Sequence, residues 1–475
     1  MYLIEYHTLI VVGFSLRIFL RDAMLPSARM AWFFVIVMVP LAGAVLYFLF
    51  GEVDIGRRAI RQQQQISAII RTHAGPAYGR MEDIDRLVPP PLRAPSRCMA
   101  SVNGFWAVPG NRVELMPDGQ SARARLIEDI DRATSQVHVL CYIWLEDQTG
   151  TNVARALIRA AGRGVKCRVM VDAMGSLAFT RSALWKEMSR AGVETAVALP
   201  FHKLIRTMMT SRLDLRNHRK IVVIDGQVTY CGSQNCADPQ FRIKERYGPW
   251  VDIVLRIDGP IAAQNQILFA SDWMKEVSTP PEVFQIDARR HPEGVSAQAV
   301  GDGPTERSGG SPQVFVSLME AASEELIITT PYFVPDPTVI EALCAAAFRQ
   351  VRVTLIFPRR NDSWVVAAVS RSYYRKLLEA GARIYEFDRG LLHAKTLTVD
   401  GKAVFLGSSN MDMRSFDLNY ENDVLVHDRD VALAVRARQL DYLAQSVPVQ
   451  LDEVTGWSYP RRIWQNVMAT LGPVL

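Results

Sequence analysis

The sequence predicts an α/β fold built twice over, as two related halves with mixed, largely parallel sheets flanked by helices, behind two N-terminal apolar spans. Three observations predict it. Helix-like and β-branched runs alternate through the body. One motif of His, Lys and Asp recurs at identical spacing in both halves. The longest uncharged stretch lies within the first fifty residues. The chain has 475 residues, 22% charged and 49% apolar, which excludes disorder as its main state. A net charge of +5 on this length does not by itself argue for nucleic-acid binding.

Met30 to Phe50 contains no charged side chain. As a helix it would extend about 31 Å, close to the hydrocarbon thickness of a bilayer. Pro40 stands mid-span, which membrane helices tolerate, and Trp32 and Tyr47 stand near opposite ends as interfacial anchors. A weaker stretch from about Leu3 to Leu20 is interrupted by Glu5 and Arg17, the latter placed to snorkel. A cleaved signal peptide fits poorly, because the region ahead of the apolar run carries Glu5 and no Lys or Arg. Two spans, 3–20 and 30–50, would put the N-terminus and the body on one side. Arg57, Arg58 and Arg61, set against Arg21 and Arg29, lean toward a cytoplasmic body. So do six cysteines without close-paired metal spacing.

Residues 51–110, with a Gln run and a Pro cluster, read as a linker. Residues 111–285 form a first α/β unit, 286–310 a connector, 311–450 a second unit and 451–475 a tail. In the first unit ARLIEDIDRATSQ reads as helix, VHVLCYIW as strand, TNVARALIRAAGRG as helix and VKCRVMVDA as strand. VFVSLMEAASEE, LIITTPYFVP, VIEALCAAAFRQ and VRVTLIFP repeat that order in the second.

The duplicated motif is HRKIVVIDGQVTYCGSQN from His218 and HAKTLTVDGKAVFLGSSN from His393, both fitting H-x-K-x4-D-G-x5-G-S-x-N. His and Lys two apart on a strand share a face. Asp225-Gly226 and Asp400-Gly401 each separate two strand-like runs, a hairpin signal. Pairing the halves about a pseudo-two-fold axis would gather two imidazoles and two ammonium groups. Such a set can divide nucleophilic and acid–base work and hold phosphoryl oxygens.

On these motifs the sequence resembles the phospholipase D superfamily, whose signature is H-x-K-x4-D in two copies. It resembles the bacterial cardiolipin synthases of that superfamily most, through the N-terminal spans, GEVDIGRR, LDLRNHRK, TTPYFVP, LLHAK and GSSNMDMRS. The resemblance covers nearly the whole chain. It implies two phospholipase D-like domains, a phosphatidyl-histidine intermediate, no metal or other cofactor, phosphatidylglycerol and anionic lipids as partners, and a bacterial inner membrane location. The motif residues are His218, Lys220, Asp225, His393, Lys395 and Asp400. By analogy His218 is the nucleophile and His393 the acid/base, although the symmetry of the motifs leaves that choice open. Lys220, Lys395, Asn235 and Asn410, with Ser233 and Ser408, are expected to hold the phosphate. Asp225 and Asp400 are expected to brace the hairpins rather than touch substrate. Asp252 and Glu421 follow their motifs at comparable places, and each is expected to orient the His of its own half. A phosphatidyl-ester hydrolase, a nuclease of the superfamily and a non-enzymatic lipid-binding protein are the alternatives. A homo-oligomer is left open.

His202, Lys203, Arg206, Arg212 and Arg216 form a basic stretch suited either to anionic headgroups or to plain solvation. Tyr142, Trp144, Tyr332 and Phe333 end equivalent strands, where they either line the acyl or glycerol path or, as the preferred reading, pack in the core. Asp118 to Arg123 matches the start of the signature of metal-dependent CDP-alcohol phosphotransferases, but its later Gly and Asp positions are absent. The C-terminal SYPRRIWQNVMATLGPVL is basic and apolar, suited to contact with the membrane or the body.

Overall fold

Strand-forming runs from both halves hydrogen-bond into one continuous twisted sheet. The computed structural model describes residues 2–22, 24, 26–52, 56–200, 214–284 and 286–470. In the first half the order from the edge is Glu194–Ala198, Lys166–Asp172, Gln136–Cys141, Ile221–Ile224, Val228–Gly232, Val254–Asp258 and Val108–Leu115. The second half repeats it as Arg383–Phe387, Arg352–Pro358, Glu325–Thr329, Thr396–Val399, Ala403–Gly407, Asn419–His427 and Val295–Asp302. Ser446–Val449 is added at its outer edge. The halves join where Val108–Leu115 pairs antiparallel with Val295–Asp302.

The largely parallel expectation holds for the outer three strands of each half, which helices connect. The motif hairpins run antiparallel, because strands joined by a three-residue turn can pair no other way, and the centre is antiparallel as well. Leu255, Ile257, Ala297, Ala299, Leu406 and Val424 share one core across the junction, so the halves are fused rather than tethered.

Two segments that read as connectors are structural. Gly56–Ala74 is a helix whose Ile66, Ile70 and Ala74 are buried in the core beside Ile261–Glu276. Its Gln63 amide donates to Glu306 at 2.8 Å, so part of the Gln run is interior. The 286–310 segment contains Val295–Asp302, the strand by which the second half joins the first.

The two N-terminal spans are not confirmed as membrane-crossing helices. Among the described residues no helix is long and apolar enough to cross a membrane. The first stretch is the helix Tyr2–Phe19. The second divides into Pro26–Met38, Pro40–Leu46 and a π-turn Tyr47–Gly51. The break falls at Val39, because proline's ring clashes with helical continuation at the preceding turn. Trp32 and Tyr47 therefore meet edge to face with ring centres 5.3 Å apart, rather than marking opposite interfaces. Arg17 does not snorkel alone: it pairs with Glu52 at 2.6 Å.

Candidate active site

Each motif hairpin turns at its Asp-Gly. Asp225 and Asp400 have φ of 51° and 52°, a left-handed conformation that Asp tolerates better than most residues. The Asp225 carboxylate accepts from the backbone N–H of Thr134, Ser135 and Gln136 at 2.8 to 3.0 Å. Asp400 accepts from Ser323, Glu324 and Glu325 in the same way. Both tie the hairpin to the start of the neighbouring strand, at the end away from the histidines.

At the other end, the two residues before each His form a short strand. Arg216–Asn217 pairs in parallel with Asn419–Tyr420, and Leu391–Leu392 with Trp250–Val251. The next N–H in each case continues the contact: His218 donates to the Tyr420 carbonyl at 2.9 Å and His393 to that of Val251 at 2.8 Å. Each His is thus clamped to the opposite half, beside the opposite half's carboxylate.

The carboxylate pairing is therefore crossed, and the own-half expectation is corrected. His218 Nδ1 lies 2.8 and 3.0 Å from the two oxygens of Glu421, and His393 Nδ1 lies 2.6 Å from Asp252 Oδ1. Nδ1 donation to a carboxylate leaves Nε2 as the reacting atom of each ring. Lys220 and Lys395 each fold back to donate to the carbonyl of the His two residues earlier, at 2.9 and 2.7 Å. His218, Lys220, His393 and Lys395 are all buried, and both lysines act electrostatically on both imidazoles.

The serines have a different task from the one expected. The Ser233 hydroxyl donates to Asp252 at 2.7 Å and that of Ser408 to Glu421 at 2.5 Å. Each also accepts a backbone N–H from the residue after its carboxylate. Their single protons are committed to the carboxylates, which leaves none for a phosphoryl oxygen. The Asn235 side-chain carbonyl accepts from Ile143 N at 3.3 Å, and the Asn410 amide donates to the Ser415 hydroxyl at 3.3 Å. The Asn410 side-chain oxygen is buried with no protein donor.

Burial is the largest influence on every charge here. It lowers His218 well below its ordinary value, helped by Lys220 and Lys395, and lowers His393 to about 4, with Asp252 opposing. Burial and the neighbouring Lys220 lower Lys395 to about 7. Burial raises Glu421 to about 7 against the pull of Lys220 and the serine donors. At Asp252 burial is outweighed by His393 and Lys395, and the carboxyl is held at about 2.

Sequence reasoning missed several contributors. Arg219, between His218 and Lys220, points away from them. It is almost wholly buried, pairs with Asp272 at 2.8 Å and donates to the Glu421 carbonyl at 3.0 Å. The two-residue alternation that places His218 and Lys220 together also sends Arg219 to the other side. Ser415 and Asn419 add donors to Glu421 at 2.9 and 3.2 Å. Tyr142 packs edge-on against His218 at 4.8 Å, and Trp250 lies 4.5 Å from His393. Trp144 and Phe333 are core residues, as expected, whereas Tyr332 donates to Asp362 at 2.8 Å. Asp118 caps the helix Gly119–Arg132, accepting from Ser121 N at 2.7 Å. Of the basic stretch, His202, Lys203, Arg206 and Arg212 lie outside the described residues. Among the described residues no cluster of three or more His, Cys, Asp or Glu could hold a metal ion.

The chain matches two family profiles. One is described as cardiolipin synthase, phospholipase D-like domain, over residues 126–273 and 315–439, and the other as phospholipase D-nuclease N-terminal, over residues 10–52. It is 36% identical to cardiolipin synthase A of Serratia proteamaculans over 473 residues, covering 98% of this chain and 95% of that one. It is 33% identical to cardiolipin synthase A of Proteus mirabilis over 485 residues, covering 99% and 97%. In fold it is similar to the crystal structure of phosphatidylserine synthase from Haemophilus influenzae. That match has a TM-score of 0.62 at 16% identity and covers 81% of this chain and all of the other. With near-complete overlap, matched domains in both halves and two His-Lys motifs meeting in one site, the chain belongs to the cardiolipin synthase family of phospholipase D-like proteins.

Proposed function

We propose that the protein is a cardiolipin synthase, which transfers the phosphatidyl group of one phosphatidylglycerol to the hydroxyl of another. The observation that carries this reading is the crossed pair of carboxylate-braced imidazoles with two buried lysines between them. His218 Nε2 attacks phosphorus, forming the N–P bond as the P–O bond to glycerol breaks. With the anionic phosphodiester bound beside it, His393 takes up a proton from solvent as an imidazolium backed by Asp252, and gives that Nε2 proton to the departing oxygen. The same nitrogen then takes the hydroxyl proton of the second phosphatidylglycerol, whose oxygen attacks phosphorus and releases His218. Lys220, Lys395, Asn235 and Asn410 balance the charge on the phosphoryl oxygens. Glu421 and Asp252 hold the ring tautomers and stabilise the imidazolium forms.

The N-terminal helices attach the body to the bacterial cytoplasmic membrane, with the body on the cytoplasmic side. Their outer surfaces expose Leu9, Leu16, Met38 and Leu41 at 60 to 78%, an apolar exposure suited to lipid rather than water. Purified full-length protein given phosphatidylglycerol should yield cardiolipin and glycerol in equal amounts. Phosphatidic acid and glycerol without cardiolipin would replace this reading with hydrolysis, and no turnover would sink it.

A further inference from the structure

The C-terminal helix Tyr459–Thr470 is amphipathic in an unusual sense. Gln465 and Met468 face inward, and the outward face is also apolar. Tyr459, Ile463 and Val467, four residues apart, share that face and are 78, 62 and 47% exposed, with Trp464 beside them at 45%. Trp464 stacks on Trp364 at 5.5 Å and 16°, yet Trp364 remains 63% exposed. Soluble surfaces rarely leave large aromatic side chains grouped and open in this way.

The patch continues toward the active site. Asp362, two residues before Trp364, pairs with Lys244 at 2.5 Å and accepts from the Tyr332 hydroxyl. Lys244 follows Ile243, which is 61% exposed. The same loop runs on to Trp250, packed against His393. The exposed charges on these segments are mainly basic: Arg242, Arg246, Arg360 and Arg461, against Glu245 and Glu453, the latter acting on Arg461. Arg461 lies over the Trp457 ring at 3.8 Å and Arg462 over Tyr459 at 5.9 Å.

We propose that this face, formed by Tyr459, Ile463, Trp464, Val467, Trp364 and Ile243, docks on an anionic phospholipid bilayer. It holds the mouth of the catalytic site against the surface that carries its substrate. The proposal rests on the phosphatidylglycerol reading above. Trp and Tyr sit at the headgroup level, aliphatic side chains reach the acyl boundary, and the arginines meet lipid phosphates. The basic surround matches an anionic membrane and disfavours burial against a second copy, which would bring the same arginines together. The N-terminal helices set the distance to the membrane, and this face sets the orientation.

The test uses the full chain reconstituted in vesicles of phosphatidylethanolamine and phosphatidylglycerol. A spin label at Ile463→Cys, corrected for labelling of the native cysteines, should be more accessible to oxygen than to an aqueous nickel complex. The reverse accessibility overturns the proposal, and so does dipolar broadening from labels on neighbouring copies. The double variant I463S/W464S should turn over vesicle phosphatidylglycerol about tenfold more slowly. It should leave turnover of monomeric short-chain phosphatidylglycerol unchanged. Equal loss on both substrates, or no loss on vesicles, also overturns it. If the unsubstituted protein turned over neither substrate, the phosphatidylglycerol reading would fail, while the spin label would still decide the surface.

Discussion

His218 and His393 occupy equivalent positions in equivalent motifs, yet their surroundings differ. Glu421, which faces His218, is fully buried and takes donors from His218, Ser408, Ser415 and Asn419. Asp252, which faces His393, takes hydrogen bonds from His393 and Ser233. The difference originates in the segments between motif Asn and carboxylate. In the second half this runs only from Asn410 to Glu421 and turns Ser415 and Asn419 inward. In the first it runs from Asn235 to Asp252 and delivers Trp250 to His393. The duplication kept the reacting pair and changed what holds it. Glu421 is pushed up to about 7 by burial, whereas at Asp252 the pull of His393 and Lys395 overcomes burial and holds the carboxyl at about 2. The two imidazoles therefore face carboxylates of different charge state, which fits the different work proposed for them.

The largest test of that division removes each ring. His218→Ala and His393→Ala should each lower transfer about ten-thousand-fold. Only the His393 variant should retain a phosphatidyl group on the protein when quenched in denaturant at mildly alkaline pH, where the N–P bond survives, and examined by mass spectrometry. An adduct that persists in the His218 variant would exchange the roles of the two halves.

The crossing is tested next. Glu421→Gln and Asp252→Asn should each cost about a hundred- to thousand-fold. Imidazole nitrogen NMR should show the Glu421 change at His218 Nδ1 and the Asp252 change at His393 Nδ1. Perturbation of the own-half ring instead would break the crossed pairing.

The motif spacing alone makes the site legible, because identical offsets put His and Lys on one face in both halves. The crossing is not legible in the same way. It depends on two-residue strands pairing across some two hundred residues of chain, Arg216–Asn217 with Asn419–Tyr420, and no local pattern carries that register. Val295–Asp302 reads as connector because its Ala, Gly, Ser and Gln are poor strand formers. Ala297 and Ala299 are wholly buried at the junction of the halves, where tertiary packing overrides propensity. In Gly56–Ala74 the glutamines obscure the Ile66, Ile70, Ala74 stripe. Pro40 is plain in the sequence, but whether it kinks or ends a helix depends on the packing of neighbouring helices.

The pH profile sharpens the comparison at smaller scale. In the proposed mechanism His218 is a competent nucleophile when Glu421 is ionised, and that fraction grows as pH rises through about 7. In the same proposal Lys395 holds phosphate when protonated, and that fraction falls as pH rises through about 7. His393 must be protonated to act as the acid and stands at about 4 in the free enzyme, so the profile of kcat/KM should be a broad bell that falls in acid with Glu421 and above about 7 with Lys395. Bound phosphodiester should move the falling limb of kcat upward. Lys395→Arg should remove the falling limb and cost several-fold in rate, since guanidinium stays charged. Asp252→Asn should lower the bell without moving either limb, because Asp252 is ionised throughout. A limb that moved with Asp252 would place the titration in the wrong half.

The smallest effect on chemistry should come from the feature the halves share most closely. Asp225 and Asp400 each accept from three successive backbone N–H groups at equivalent positions of their halves, remote from the imidazoles. Burial raises both carboxyls, but the backbone hydrogen bonds outweigh it and hold both below the ordinary value. A depressed carboxyl stabilises the fold above its unfolded pKa, and that contribution is lost as pH falls through the folded pKa. Asp225→Ala and Asp400→Ala should each cost about 1–3 kcal/mol near neutral pH, by leaving N–H groups without their acceptor. The gap from the unsubstituted protein should close in acid, and kcat at permissive temperature should stay within about threefold. Thermal unfolding across pH measures the first part and initial rates the second. Unequal losses in the two halves, or a collapse of kcat with intact stability, would mean that these aspartates reach the chemistry after all.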